Sequence, residues 1–216
     1  MSNFILVALI HGAIITNMKS RDIDKKKLDS AFGLLAGQME IKGCSPAHLV
    51  VCGGSALIAT DLVHRTTGDA DVIALIDSSG KLISGRLLPS ELIELARSVA
   101  DVLGLDKDWL NSGPAGLFEL GMPEGFEKRL VTQSFGSYLT VSFIVRVDQV
   151  YLKLNAAISM GASSYHANDL KALNPTEEEL IGAYHWMLKL YELENSPDFY
   201  KEALIGLGYA NVAERL

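Results

Sequence analysis

Two apolar runs of strand length, HLVVC at 48–52 and DADVIALI at 69–76, stand close together, separated by GGSALIATDLVHRTTG. The first run stops at two glycines and a serine. The second begins on two carboxylates, Asp69 and Asp71. Between them Ala56, Leu57, Ala59, Leu62 and Val63 recur at helical spacing, so the stretch reads as strand, turn, helix, strand.

The flanking sequence extends this unit. From Ile23 to Met39 the residues Leu28, Phe32, Leu35 and Met39 mark a helix, with Gly43 as its stop. Pro89 opens another helix to about Leu103, striped by Leu92, Leu95, Ala96 and Val99. Residues 104–128 are rich in glycine and proline, and long enough for a functional loop. RLVTQSF and LTVSFIV, joined by GSY, read as a hairpin. A helix from Asp148 to about Met160 follows, then a short one in HANDLKAL. A third starts at NPTEEEL and runs through Tyr191, and a last one lies in SPDFYKEALIGLG. Thr176 and Glu179 have the spacing of a capping box, so the acids Glu177 to Glu179 have a structural explanation in a first helical turn. The order of elements predicts an α/β or α+β fold with a helical C-terminal half. It divides into an uncertain N-terminal extension (1–17), a core (18–147) and a helical region packed on that core (148–216).

Composition narrows the partners. With 49% hydrophobic and 21% charged residues the chain is globular, and its net charge of -7 argues against a broad basic face for tracking nucleic acid. A local basic pocket for a nucleotide or an RNA end remains compatible with it. Cys44 and Cys52 supply neither a disulfide framework nor a metal-binding spacing, which makes a reducing cytoplasm the expected location. Cys52, inside an apolar run, reads as a small buried hydrophobe. FILVALIHGAII at 4–15 has no positive charge ahead of it and no small-residue cleavage site behind it. It is also shorter than the roughly 20 residues that span a bilayer, so neither a signal peptide nor a membrane partner is expected. Met18, followed by KSRDIDKKK, reads as an equally good start.

The chemistry lies in the opening stretch. Gly53, Gly54 and Ser55 would form the turn into a helix, where free N–H groups favour anions and glycine lets a phosphate approach the backbone. Ser55 would cap that helix or bond a phosphate oxygen; backbone geometry alone also accounts for such a turn. Asp69 and Asp71, at i and i+2 of a strand, point to the same side with Cα atoms roughly 6.5–7 Å apart. Both could then reach one divalent ion, or two ions about 3.5–4 Å apart. Without a cation the pair repels and one pKa rises; Mg²⁺ neutralises it while bridging to nucleotide phosphates. The alternative for Asp-x-Asp is a strand cap beside a solvated partner.

Taken as a whole, GGSALIATDLVHRTTGDADV resembles the signature of the DNA polymerase β-like nucleotidyltransferase superfamily, and is closest in form to small bacterial members related to the AbiEii and MenT toxin enzymes. The matching residues are Gly54, Ser55, Arg65, Thr67, Asp69 and Asp71. The resemblance implies a small mixed sheet flanked by helices, a Gly-Ser turn (Gly53 to Ser55) holding nucleotide phosphates, and Asp69 and Asp71 holding catalytic Mg²⁺ or Mn²⁺. It also implies a helix lysine and a later aspartate completing the site, here Lys153 in LKLNAA and Asp169 in HANDLKAL. Val147, Val150, Tyr151, Leu154 and Ile158 form the apolar stripe of that helix, with Lys153 on its flank, where it would reach a triphosphate or lay its stem along the core edge. Asp169 reads equally as an N-terminal helix acid.

The expected activity is metal-dependent transfer of a nucleoside monophosphate from a nucleoside triphosphate to an acceptor hydroxyl, on a tRNA end, a protein or a small molecule. No arginine follows Lys153 in its helix and LTVSFIV holds no third carboxylate. These departures motivate the alternative: a nucleotidyltransferase-like fold without turnover, serving as a nucleotide-sensing or protein-interaction module. One half of a toxin–antitoxin pair, with a small protein partner, is a third possibility.

Overall fold

The computed structural model describes residues 22–191 and 197–216, so the readings made on residues 1–17 and on Met18 lie outside the described residues. Helix α1 (Lys25–Lys42) opens on Asp24, whose carboxylate accepts the Lys27 N–H at 2.8 Å, and ends at Gly43 with φ +67°. Strand β1 (Ala47–Cys52) leads directly into α2 (Gly53–Ala59), and β2 (Ala70–Ile76) returns beside β1. Next come β3 (Leu82–Ser84), α3 (Ser90–Leu103), β4 (Leu110–Asn111) and α4 (Ala115–Leu120), then the hairpin of β5 (Val131–Phe135) and β6 (Leu139–Phe143). The remainder is helical: α5 (Arg146–Met160), α6 (Tyr165–Ala172), α7 (Glu177–Leu190), α8 (Pro197–Gly206) and α9 (Ala210–Glu214).

The strands form one mixed sheet in the order β3-β2-β1-β6-β5, with the short β4 also paired to β2. β1 runs antiparallel to β2 and parallel to β6. Helices and sheet are segregated rather than strictly alternating, which makes this an α+β fold. One sheet face, through Leu49, Val51, Val72 and Val141, packs on α1 and α3 (Phe32, Leu35, Leu92, Val99). Trp109 is buried in the same cluster and donates its indole N–H to the Ala96 carbonyl at 2.8 Å. The other face, through Val50, Cys52, Ile73 and Ala74, meets Phe126, Ile144 and Leu152. Because β1 is covered on both sides its sequence is a continuous apolar run rather than an alternating one. A third cluster joins Leu57 of α2 to α5–α9 through Val150, Leu154, Leu170, Tyr184 and Leu204. Among the described residues no helix is long and apolar enough to cross a membrane.

A β-bulge sets up the site. Val50 faces Ala74 but Val51 faces Val72, so Ile73 is the extra residue on β2. The shifted register leaves Asp71 opposite Cys52, the last residue before Gly53.

Several elements differ from the sequence expectation. The expected turn at Gly53 to Ser55 is instead the first turn of α2, which starts on the strand end without a linker. That helix stops at Ala59 rather than running to Val63: Asp61 takes φ +57°, and the N–H groups of Leu62 and Val63 both return to the Leu57 carbonyl. Their side chains pack against the C-terminal helices, so their apolar character answers to tertiary contacts. The 104–128 stretch contains β4, α4 and a 3₁₀ turn at Phe126–Lys128. β3 and α9 were too short to leave a periodic signal. On α5 the buried face is wider than the expected stripe: Val150 and Leu154 are fully buried, as are Gln149 and Lys153 nearly so, while Val147, Tyr151 and Ile158 are half-buried. The capping box of α7 forms as expected, and Glu179 also pairs with Arg146 at 2.5 Å.

Candidate functional site

Eight of the nine site residues expected from the sequence, all but Ser55, line one cleft of about 460 Å³. Gly53 and Gly54 come from the start of α2, and Arg65 and Thr67 from the connection to β2. Asp69 and Asp71 come from the entrance to β2, Lys153 from α5 and Asp169 from α6.

The two glycines are dictated by contact. Gly53 has φ +68°, and a Cβ there would lie 2.7 Å from Asp71 Oδ2. A Cβ on Gly54 would lie 2.6 Å from Thr67 Oγ1 and 3.1 Å from Arg65 Nη2. The backbone at these positions is thus pressed against the polar groups of the site. Gly53→Ala is expected to cost about 1–2 kcal/mol from the left-handed backbone alone and to displace the Asp71 carboxylate. Urea denaturation measures it, and an unchanged midpoint would contradict this account.

Thr67 is fixed by a two-way backbone bridge with Ile23, its carbonyl accepting at 2.7 Å and its N–H donating at 2.9 Å. Two residues on, Asp69 reaches the cleft with the Thr67 hydroxyl at 3.5 Å. Burial pushes the Asp69 carboxyl above its usual range, while Thr67, Lys153 and Arg65 pull it back. Asp71 is pushed up to about 6, first by burial and then by the charge of Asp69; Asn111 and Lys153 oppose the rise. Asn111 stands opposite Asp71 because β4 pairs parallel to β2. Burial and the two carboxylates also push the Cys52 thiol far up, so it is no nucleophile.

Asp169 differs in kind from that pair. Arg65 grips it with both Nε (2.9 Å) and Nη2 (2.8 Å), and Lys153 Nζ donates to Oδ2 at 2.7 Å. Burial disfavours its charge, but the hydrogen bonds from Arg65 and Lys153 win and hold it below the usual carboxylate range. The side chains of Lys153 and Asp169 are only 3% and 5% exposed. Asp169 is therefore an anchor for two cations rather than a free ligand, and Lys153 lies inside the protein rather than on the helix flank. Lys153 and Arg65 share the cleft with Asp69, Asp71, Asp169 and Asp22, so carboxylates outnumber cations along its lining.

Ser55 departs from expectation. It is fully buried, does not line the cleft and donates its hydroxyl to the Cys52 carbonyl at 3.2 Å. A helix starting directly on the strand turns that side chain inward, so it is not placed to bond a phosphate. Asp148, the carboxylate after β6, is also committed elsewhere: Arg129 holds it at 3.0 and 2.6 Å. It lines a larger groove of about 850 Å³ between residues 120–124, α5 and α7. Its carboxylates are Glu124 and Asp148, the second already paired with Arg129.

Sequence reasoning missed Asn111, Tyr165, His166 and Asn168. Tyr165 stands four residues before Asp169, on the same face of a helix, and that spacing was a usable signal. Nothing local marks Asn111.

Among the described residues no three His, Cys, Asp or Glu side chains come together in a way that could hold a metal ion. Asp69 and Asp71 do fit Mg²⁺ or Mn²⁺, since Mg²⁺ commonly takes one or two carboxylates and completes its shell with water and substrate phosphates. Burial first and the charge of Asp69 second raise the Asp71 carboxyl, and a cation between the two carboxylates would relieve both. Comparison with protein-family models, with characterised proteins and with solved structures finds no match for this chain. The reading of the cleft therefore rests on its residues and geometry.

Proposed function

We propose that this chain is a metal-dependent nucleotidyltransferase of the DNA polymerase β-like kind, moving a nucleoside monophosphate from a nucleoside triphosphate to an acceptor hydroxyl. The observation that carries the reading is the convergence of a carboxylate pair, a bare glycine backbone and two cations on one cleft. Asp69 and Asp71 would hold Mg²⁺ or Mn²⁺. When bound, that ion supplies Lewis-acid stabilisation of phosphate charge and eases loss of the acceptor's proton.

The remaining work belongs to the chain. Gly53 and Gly54 lack the Cβ that would strike Asp71, Thr67 and Arg65, so the carboxylate, hydroxyl and guanidinium that would meet the metal and the phosphates lie directly against the backbone. Lys153 and Arg65, held rigid by Asp169, present fixed positive charge to the triphosphate and to the departing pyrophosphate. Positioning and charge neutralisation carry most of the catalysis in phosphoryl transfer, and a buried, pre-paired lysine spends no reorganisation at the moment of reaction. Attack by the acceptor oxygen on the α-phosphorus releases pyrophosphate.

Asp69→Ala and Asp71→Ala are each expected to reduce metal-dependent nucleotide transfer by about 100-fold or more. The assay supplies labelled nucleotides, Mg²⁺ or Mn²⁺, and total cellular RNA and protein, and it reveals the acceptor at the same time. Transfer that survives both substitutions overturns the reading.

One observation favours a second reading, a nucleotide-binding module without turnover. Asp169 is saturated by Lys153 and Arg65, so it is not free to serve as a third carboxylate. Calorimetric binding of a triphosphate with no pyrophosphate release would select this reading over the first.

A further inference from the structure

The mouth of the cleft carries an aromatic group that phosphate and metal chemistry do not use. Tyr165, the first residue of α6, lines the cleft yet is 60% exposed. A tyrosine is amphipathic, and one exposed ring needs no explanation by itself. This ring, however, is held in place. Its centroid lies 3.9 Å from that of His166, with the planes 35° apart. Lys153 Nζ lies 5.7 Å from its centre, within the range of a cation–π contact. His166 is a good stacking partner because its imidazole stays neutral: burial and the charge of Lys153 push its pKa down to about 4. Its Nδ1 is buried without a hydrogen-bond partner, so a proton there would go unshared.

The geometry points to Tyr165, propped by His166, as the platform on which the base of a nucleoside triphosphate stacks. The inference rests on the nucleotide reading of the same cleft and adds what selects the ligand. Asp69, Asp71, Lys153 and Arg65 recognise a metal–polyphosphate, and inorganic triphosphate would satisfy all of them. An open aromatic face beside Lys153 distinguishes a nucleoside from a bare polyphosphate, because only the nucleoside brings a π-system to it. With so much of its surface exposed, the ring cannot be covered on both faces by His166 and Lys153. Stacking tolerates every base, so this platform favours nucleosides as a class and ranks bases by stacking strength, purines ahead of pyrimidines.

The test compares full-length wild type with Tyr165→Leu and Tyr165→Trp, by calorimetry with Mg²⁺-ATP and with Mg²⁺-tripolyphosphate. An exposed position makes both substitutions tolerable for folding, and a melting curve checks this. Tyr165→Leu is expected to bind ATP roughly 5- to 150-fold more weakly, while tripolyphosphate binding stays within about twofold and Tyr165→Trp retains ATP. If wild type binds both ligands and Tyr165→Leu binds ATP unchanged, the platform is wrong and the nucleotide reading stands. Equal loss of ATP and tripolyphosphate in Tyr165→Leu assigns the ring to propping Lys153 and also overturns the platform. If wild type binds neither ligand, the nucleotide reading fails and takes the platform with it.

Discussion

Asp71→Asn is expected to make the metal-free protein more stable at pH 7 while abolishing metal-dependent transfer. Asp71 is buried beside Asp69, and its carboxyl is pushed up to about 6 from an ordinary 3.8. A raised carboxyl binds its proton more tightly in the folded state. Its favourable contribution is therefore complete below the ordinary value and is lost as pH rises through about 6. Above that pH the fold holds a repelled, partly desolvated charge. Asparagine keeps the size and hydrogen-bonding capacity of the side chain without the charge. A gain of about 3 kcal/mol at pH 7 follows, shrinking to nothing near pH 3.5. Thermal denaturation across pH in a chelating buffer measures it. Mg²⁺ should stabilise the wild type and leave Asp71→Asn unaffected. A lower melting temperature for Asp71→Asn at pH 7 would show that the carboxylate is a structural ligand instead. Such an exchange of stability for a charged, strained site is a general feature of functional clefts.

Asp169→Ala is expected to have the opposite effect on stability, and the largest of any single change at this site. Removing it leaves Lys153, 3% exposed, as a buried ammonium without its partner, and frees Arg65 from its two-point grip. Orphaning a buried charge in this way costs about 3–5 kcal/mol. The same pairing sets an acid limit: a carboxyl held below its ordinary range contributes stability that is present above that range and is lost as pH falls through the folded value. Urea denaturation gives the cost directly. The double change Asp169→Ala with Lys153→Met should recover part of it, because the stranded ammonium is then gone. A loss below about 1 kcal/mol for Asp169→Ala would mean that water, not protein, surrounds Lys153. Transfer activity should not return in the double variant, since the triphosphate has lost its fixed cation.

The two expectations separate the roles of three aspartates that look alike in sequence. Asp69 and Asp71 are expected to weaken the metal-free fold and, under the proposed function, to bind the metal. Asp169 strengthens it and positions Lys153 and Arg65.

Local residue patterns by themselves determined most of the elements and half of the site. HLVVC is a strand because β-branched and apolar side chains suit a run buried on both faces. Gly43 ends α1 because it takes a left-handed conformation freely, and Thr176 with Glu179 starts α7 by satisfying two orphan N–H groups. Gly53, Gly54, Asp69 and Asp71 were legible because their chemistry depends on neighbours in the chain, two residues apart on a strand or at its end. Only the tertiary structure decided that Ser55 turns inward, that Leu62 and Val63 belong to a packed corner rather than a helix, and that Asn111 stands beside Asp71. It alone joined Arg65 to Asp169 across 104 residues and buried Lys153 between them and Tyr165. Backbone preferences act over a few residues, whereas the pairing of buried charges is set by which helices pack together. That packing reflects hydrophobic area summed over the whole chain, and no short stretch of sequence records it.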